Sequence, residues 1–147
     1  MSQSDSSRLE VERLYARLAA DYDRRWAGYL RRSHDAVLSS LKPHIEAGTA
    51  VLELGCGTGA LLGQLHAEQS SLALTGLDLS REMLAVARRR LPPSVRLAQG
   101  DFARVPFTKG QFDCVVACSA LHYECLDAPP AKQWREWRRV LRPGGRV

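Results

Sequence analysis

Apolar side chains recur through the first thirty residues at Val11, Leu14, Tyr15, Leu18, Tyr22, Trp26 and Tyr29. Steps of three and four place them on one face of a helix, which predicts helix from about Ser7 to Leu30, in one piece or as two meeting near Gly28. A further helical stretch runs from about Ser33 to Leu41 and stops before Pro43, which cannot continue it. From residue 50 the period changes. Ala50-Val51-Leu52-Glu53-Leu54 is a short apolar run ending abruptly in glycines, the pattern of a buried parallel strand. Ala60 to Ala67 then reads as helix and Leu72 to Leu79 as strand. Ser80 is a good N-cap for a helix over Arg81–Arg90, which Pro92-Pro93 ends. Val95 to Ala98 and Phe112 to Cys118 read as strands three and four. Pro129-Pro130 opens a last helix with Trp134, Trp137 and Val140-Leu141 on its buried face. Pro143-Gly144-Gly145 reads as a turn. Alternating strand and helix predict an α/β fold with a parallel sheet covered on both faces, right-handed crossovers and a ligand edge at the strand C-termini.

Composition narrows this only slightly. The 147 residues are 45% hydrophobic and 25% charged, an ordinary globular balance. No apolar run approaches the roughly 18 residues of a membrane span, and the polar start Met1-Ser2-Gln3-Ser4 lacks the apolar core of a secretory signal. Net charge is +5, from 21 basic and 16 acidic residues. The arginines fall in twos and threes (Arg24-Arg25, Arg31-Arg32, Arg88-Arg89-Arg90, Arg138-Arg139) on amphipathic segments, which reads as solvated helix faces rather than a nucleic-acid or lipid patch. Cys56, Cys114, Cys118 and Cys125 form no C-x-x-C, and none pairs with a histidine at zinc-like spacing, so no metal is expected. They read as free thiols in a reducing cytoplasm, with disulfides as the alternative.

The chemistry concentrates in Glu53-Leu54-Gly55-Cys56-Gly57-Thr58-Gly59, between the first strand and its helix. Glycines at alternate positions allow a tight turn and leave no Cβ between backbone and ligand, while the next helix points free N–H groups at the site. Gly55 to Ala60 also satisfies the dinucleotide fingerprint G-x-G-x-x-G/A, so the loop alone does not choose its ligand. Three acids favour one. Glu53 suits an ammonium and opposes a pyrophosphate; Asp78, closing strand two, can accept both hydroxyls of a ribose; Asp101, after strand three, can take an adenine amino group. Together they describe a ligand with a nucleoside and a positive charge. A nicotinamide-dependent oxidoreductase remains the competing reading of the loop.

Glu53–Gly59, Gly76-Leu77-Asp78-Leu79-Ser80 with Met83-Leu84, Gly100-Asp101 and Leu141-Arg142-Pro143-Gly144-Gly145 resemble class I S-adenosylmethionine-dependent methyltransferases. The likeness is greatest to ubiquinone/menaquinone-biosynthesis-like and other small-molecule methyltransferases with "YD" in an N-terminal helix, here Tyr22-Asp23. The resemblance implies a Rossmann-like doubly wound sheet over residues 50–147 and an N-terminal helical cap over residues 1–49. It implies S-adenosylmethionine as cofactor, with Gly55, Cys56, Gly57 and Gly59 against its methionine part and Glu53 holding the loop and the amino group. Asp78 would take the ribose, Leu79 and Met83 would pack on adenine, Asp101 and the Phe102 N–H would read its edge, Cys118 would lie near the methionine part, and Tyr22 would close over it.

The implied reaction is in-line displacement at the sulfonium methyl, to which the protein contributes alignment and a dry pocket. A base is needed only where the acceptor arrives protonated, and His122, just past strand four, is the candidate. The N-P-P-[YF] pattern of amino-group methylation on bases or glutamine is missing, which favours a small-molecule substrate over nucleic acid. The family's sheet has seven strands, whereas here about four are expected, with the fifth only begun at Arg146-Val147. A truncated chain is therefore expected, with strand four as an open apolar edge available for self-association. A catalytically inactive cofactor-binding or interaction module is the alternative function. The methyl acceptor, the atom methylated and the oligomeric state are not legible.

Overall fold

The computed structural model describes residues 3–118 and 131–147, with side chains from Leu9 onward. Two helices lead, α1 (Gln3–Leu18) and α2 (Tyr22–Leu41), followed by a 3-10 turn at Lys42–His44. The chain then runs β1 (Ala50–Leu54), α3 (Ala60–Glu68), β2 (Ala73–Asp78), α4 (Arg81–Arg90), β3 (Arg96–Gln99), β4 (Phe112–Val116), α5 (Ala131–Val140) and β5 (Leu141–Arg146). The five strands form one parallel sheet in the order β3-β2-β1-β4-β5. The chain moves outward from β1 to β3 and returns to the other side of β1, so the topological switch lies between β1 and β4. In such sheets the crevice at that switch, beyond the strand C-termini, is where ligands bind.

Every residue of β1 is buried, as its unbroken apolar run requires. Its alternate side chains feed two cores. Val51 joins Leu74, Cys114 and Val116 beneath Leu38, Leu61, Leu62, Leu65, Leu84 and Ala87 of the helices on one face. Ala50, Leu52 and Leu54 join Leu77, Phe112 and Val115 beneath Trp137 and Val140 on the other. The Ser80 hydroxyl accepts the Met83 N–H at 3.2 Å, giving α4 the expected cap.

Several expectations are corrected. The N-terminal helices break at Ala19–Asp21, and α2 continues through Gly28 to Leu41. Its buried stripe Leu30, His34 and Leu38, spaced by four, crosses Ser33 without interruption, and packing of that stripe outweighs the small helix cost of one glycine. The fifth strand is formed. Leu141–Arg146 pairs in parallel with β4, with a register irregularity between Phe112 and Cys114, so strand four is an interior strand and not an open edge. The expected turn Pro143-Gly144-Gly145 lies inside this irregular edge strand, a position where proline's missing donor is tolerated. On α5 the buried positions are Gln133, Trp137 and Val140, while Trp134 is 37% exposed and packs edge-on against Trp137 with ring centroids 5.4 Å apart. Cys56 and Cys114 are free thiols; Cys125 lies outside the described residues. Among the described residues no helix is long and apolar enough to cross a membrane.

Candidate active site

The turn from β1 into α3 folds back on β2. The Gly55 and Cys56 N–H groups both donate to the Leu77 carbonyl, at 2.8 and 3.0 Å. Close approach is possible because residue 76 is glycine: a Cβ there would stand 2.7 Å from Cys56 Sγ and from Leu62 Cδ1. Gly57 donates its N–H to Asp78 Oδ2 at 2.7 Å, and Ser80 donates to Oδ1 at 2.9 Å. The carboxylate's remaining lone-pair capacity is open to a ligand hydroxyl. Burial raises the Asp78 carboxyl above the ordinary range despite the opposing hydrogen bonds from Ser80, Gly57 and Leu79.

Glu53 is 3% exposed, and its Oε2 has no hydrogen-bond partner among the described residues. Burial pushes its carboxyl well above the usual value, and the negative charge of Asp78 adds to the effect. The Cys56 thiol is raised by the same causes, burial first and then Glu53 and Asp78. Two carboxyls beside one buried glycine turn leave the site short of positive charge, a deficit that a cationic ligand would fill.

One cavity of about 120 Å³ collects these groups. Tyr22, Glu53, Gly55, Cys56, Gly57, Asp78, Leu79, Met83, Phe102 and Cys118 all line it. A Cβ on Gly57 would meet nothing within 4 Å, so the backbone there faces open space. Gly59 and Asp101 are not on the wall. Gly59 takes a left-handed φ of 75° at the start of α3, and a Cβ would lie 2.6 Å from Leu91 Cδ1; this glycine serves backbone geometry and helix packing. Asp101 Oδ1 accepts the Ala103 N–H at 2.8 Å, which binds it into its own turn. His122 lies outside the described residues. The segment after β3 is held from α5: Trp137 Nε1 donates to the Phe102 carbonyl at 2.9 Å, and Arg139 donates to the carbonyls of Phe107 and Val105 at 2.7 and 2.9 Å.

Sequence reasoning placed only Tyr22 of the N-terminal cap at the site and missed the other side chains of the first two helices and the glycine loop's threonine. Val11, Tyr15, Asp23, Leu30, His34 and Thr58 also line the cavity. Tyr15 and Tyr22 stand with ring centroids 6.0 Å apart. His34 is buried, and burial lowers its pKa against a raising hydrogen bond with Gln64. The available signal was the spacing of seven between the two tyrosines and of four between Leu30 and His34, which carries an inward face along both helices.

A family model described as a methyltransferase domain matches residues 51–145. A demethylmenaquinone methyltransferase of Lactococcus lactis is 30% identical over 145 residues, covering 93% of this chain and 56% of that protein. A malonyl-[acyl-carrier protein] O-methyltransferase of Herminiimonas arsenicoxydans is 35% identical over 147 residues, 100% of this chain and 52% of that protein. A solved structure described as a DhpI–SAH complex matches with a TM-score of 0.71 at 28% identity, covering 91% of this chain and 63% of the other. The chain spans about half the length of the curated relatives it matches. The match runs through the glycine turn, Asp78 and the Leu141–Gly145 segment, and on that extent the chain belongs to the class I S-adenosylmethionine-dependent methyltransferases.

Proposed function

We propose that the cavity binds S-adenosylmethionine and that the protein moves its methyl group to a small-molecule acceptor. The observation that carries this reading is the buried Glu53 carboxylate, whose Oε2 lacks a partner among the described residues and which faces the same cavity as Asp78. An orphaned buried acid implies a cationic or donor-bearing ligand, and the ammonium of the cofactor's methionine part has both properties. Asp78 would take the ribose hydroxyls, Gly55 and Gly57 would let the backbone lie against the methionine part, and Leu79, Met83 and Phe102 would flank the adenine. Tyr22, from the N-terminal helical cap, would cover the site. The bound cofactor supplies a methyl group already activated on a sulfonium. The chain's own work is therefore to hold the two reactants in line and keep water out. Val11, Tyr15 and Leu30 on the cap side suit an acceptor with an apolar body. For an acceptor that arrives protonated, His122 is the proposed base.

Titration calorimetry with S-adenosylmethionine and S-adenosylhomocysteine tests the assignment, with NADH as the competing ligand. Micromolar binding of both, lost in Asp78→Ala and absent for NADH, is the expected result. A folded chain that binds neither, or that prefers NADH, would overturn it.

A further inference from the structure

The first two helices close one side of the cavity of about 120 Å³ through Val11, Tyr15, Tyr22 and Leu30. What holds them down is a three-way junction at the cavity's edge, in which Asp23 and Thr58 belong to the wall and Arg90 stands behind them. The Thr58 hydroxyl donates to Asp23 Oδ1 at 2.6 Å. Arg90, the last residue of α4, donates to the Thr58 carbonyl at 3.2 Å and to its hydroxyl oxygen at 3.0 Å, and also pairs with Asp23 Oδ2. Thr58 is 3% exposed and follows Gly57, whose N–H is held from the other side by Asp78. Asp23 is in the first turn of α2, next to Tyr22 on the cavity wall. The junction thus ties the glycine turn, the start of α2 and the end of α4 together, while α1 packs across α4.

Its strength and its exposure differ in a useful way. The hydroxyl bond is part-buried, with Thr58 itself 3% exposed, but the Arg90 and Asp23 side chains are 38% and 31% exposed, so water and salt reach the ion pair. Such a contact can open without unfolding either core. We propose that Asp23, Thr58 and Arg90 form a latch that closes the N-terminal helices over the cofactor, making them positioning residues that set how fast it leaves. This rests on the cofactor assignment above.

The test is stopped-flow exchange of S-adenosylhomocysteine on the chain and on Arg90→Ala, Asp23→Asn and Thr58→Val, with Thr58→Ser as the variant that keeps the hydroxyl. Loss of one charge-assisted hydrogen bond should raise the exit rate about tenfold, with entry changed much less. Arg90→Ala and Asp23→Asn together should not exceed the larger single effect by more than about twofold, since each removes the same bond. Thr58→Ser should exit at the parent rate, and added salt should speed exit from the parent but not from the double variant. Thr58→Val preserves side-chain shape, which keeps the test valid if an arginine variant folds poorly. A contact that only stabilises the fold would lower the melting temperature and leave exit unchanged. Exit rates within twofold of the parent in folded variants would overturn the latch and leave the cofactor assignment standing. Failure of the parent chain to bind S-adenosylhomocysteine would overturn both.

Discussion

Replacing Glu53 with glutamine should stabilise the ligand-free chain and weaken its hold on the cofactor. Glu53 is 3% exposed, with one oxygen unpartnered among the described residues and Asp78 adding negative charge beside it. A buried polar group left unsatisfied costs about 1–3 kcal/mol, and more when charged. Glutamine keeps the shape, removes the charge and offers an N–H₂ beside Asp78. The expected gain at pH 8 is about 1–3 kcal/mol, which at roughly 2–4 °C per kcal/mol for a chain of this size raises Tm by about 2–12 °C. The gain depends on pH in a definite direction. The folded chain holds the Glu53 proton more tightly than the unfolded chain, whose carboxyl titrates at about 4.3. Stability from this group is therefore complete below that pH and is lost as pH rises through the raised folded value. The parent and Glu53→Gln should differ least at or below about pH 4 and separate as pH rises to 8. Thermal melts followed by circular dichroism across that range measure the gap, and calorimetry on the same samples should find S-adenosylmethionine bound at least about tenfold more weakly by Glu53→Gln. A variant less stable than the parent at pH 8, or a gap that does not change with pH, would refute the reasoning.

Trp137→Phe keeps most of the buried ring but removes the donor to the Phe102 carbonyl, and should cost about 1–3 kcal/mol in urea unfolding. It should also weaken binding of adenosine alone, whereas methionine, which would lie at the other end of the cavity, is unaffected. Asp113→Asn weakens the tie to Arg142 and to the Ala50 N–H, with an expected loss of about 1 kcal/mol for this partly exposed group. The Ala50 N–H, with help from Arg142, holds the Asp113 carboxyl below its ordinary value. Its contribution is present above pH of about 3.9 and fades as pH falls through the folded value, so parent and variant should converge in acid. Gly76→Ala drives a methyl to 2.7 Å from Cys56 Sγ and Leu62 Cδ1, and should lower stability by about 1–3 kcal/mol. An unchanged urea midpoint would count against that close approach.

The parts legible in the sequence are those in which one local pattern decides the outcome. The apolar run of β1, the Ser80 cap and the proline ends of α2 and α4 each carry their own signal, and the element order followed from them. The glycine turn and Asp78 were legible because a tight turn against a strand end restricts residue type. Asp101 and Gly59 were read toward a ligand, and the structure adds to each a contact from outside the motif: an Asx turn at Asp101 and the packing of Leu91 beside Gly59. What α1 and α2 contribute beyond Tyr22 was hidden for a related reason. An amphipathic stripe states that a face is buried and not what it is buried against, so Tyr15 was read only as part of that face. The break at Ala19–Asp21 was misplaced to Gly28 because glycine is a weak helix breaker when the stripe around it packs. β5 was unreadable as a strand: Leu-Arg-Pro-Gly-Gly-Arg has turn composition, and its pairing comes from β4 and the Asp113–Arg142 contact rather than from propensity.

The strand order also sets a sequence of events. β1, β2 and β3 are consecutive neighbours, each joined by a short crossover, whereas the pairing of β1 with β4 spans 63 positions from Ala50 to Asp113. Loop closure and contact order then favour assembly of β1 through β3 before β4, α5 and β5 dock. The glycine turn and Asp78 belong to the early half, and Cys118 and the Trp137 support of Phe102 to the late one. A ligand that touches both halves would engage only after the folding barrier has been crossed. S-adenosylhomocysteine should accordingly slow unfolding while leaving the refolding rate unchanged, a pattern that chevron kinetics with and without it would reveal and a faster refolding limb would contradict.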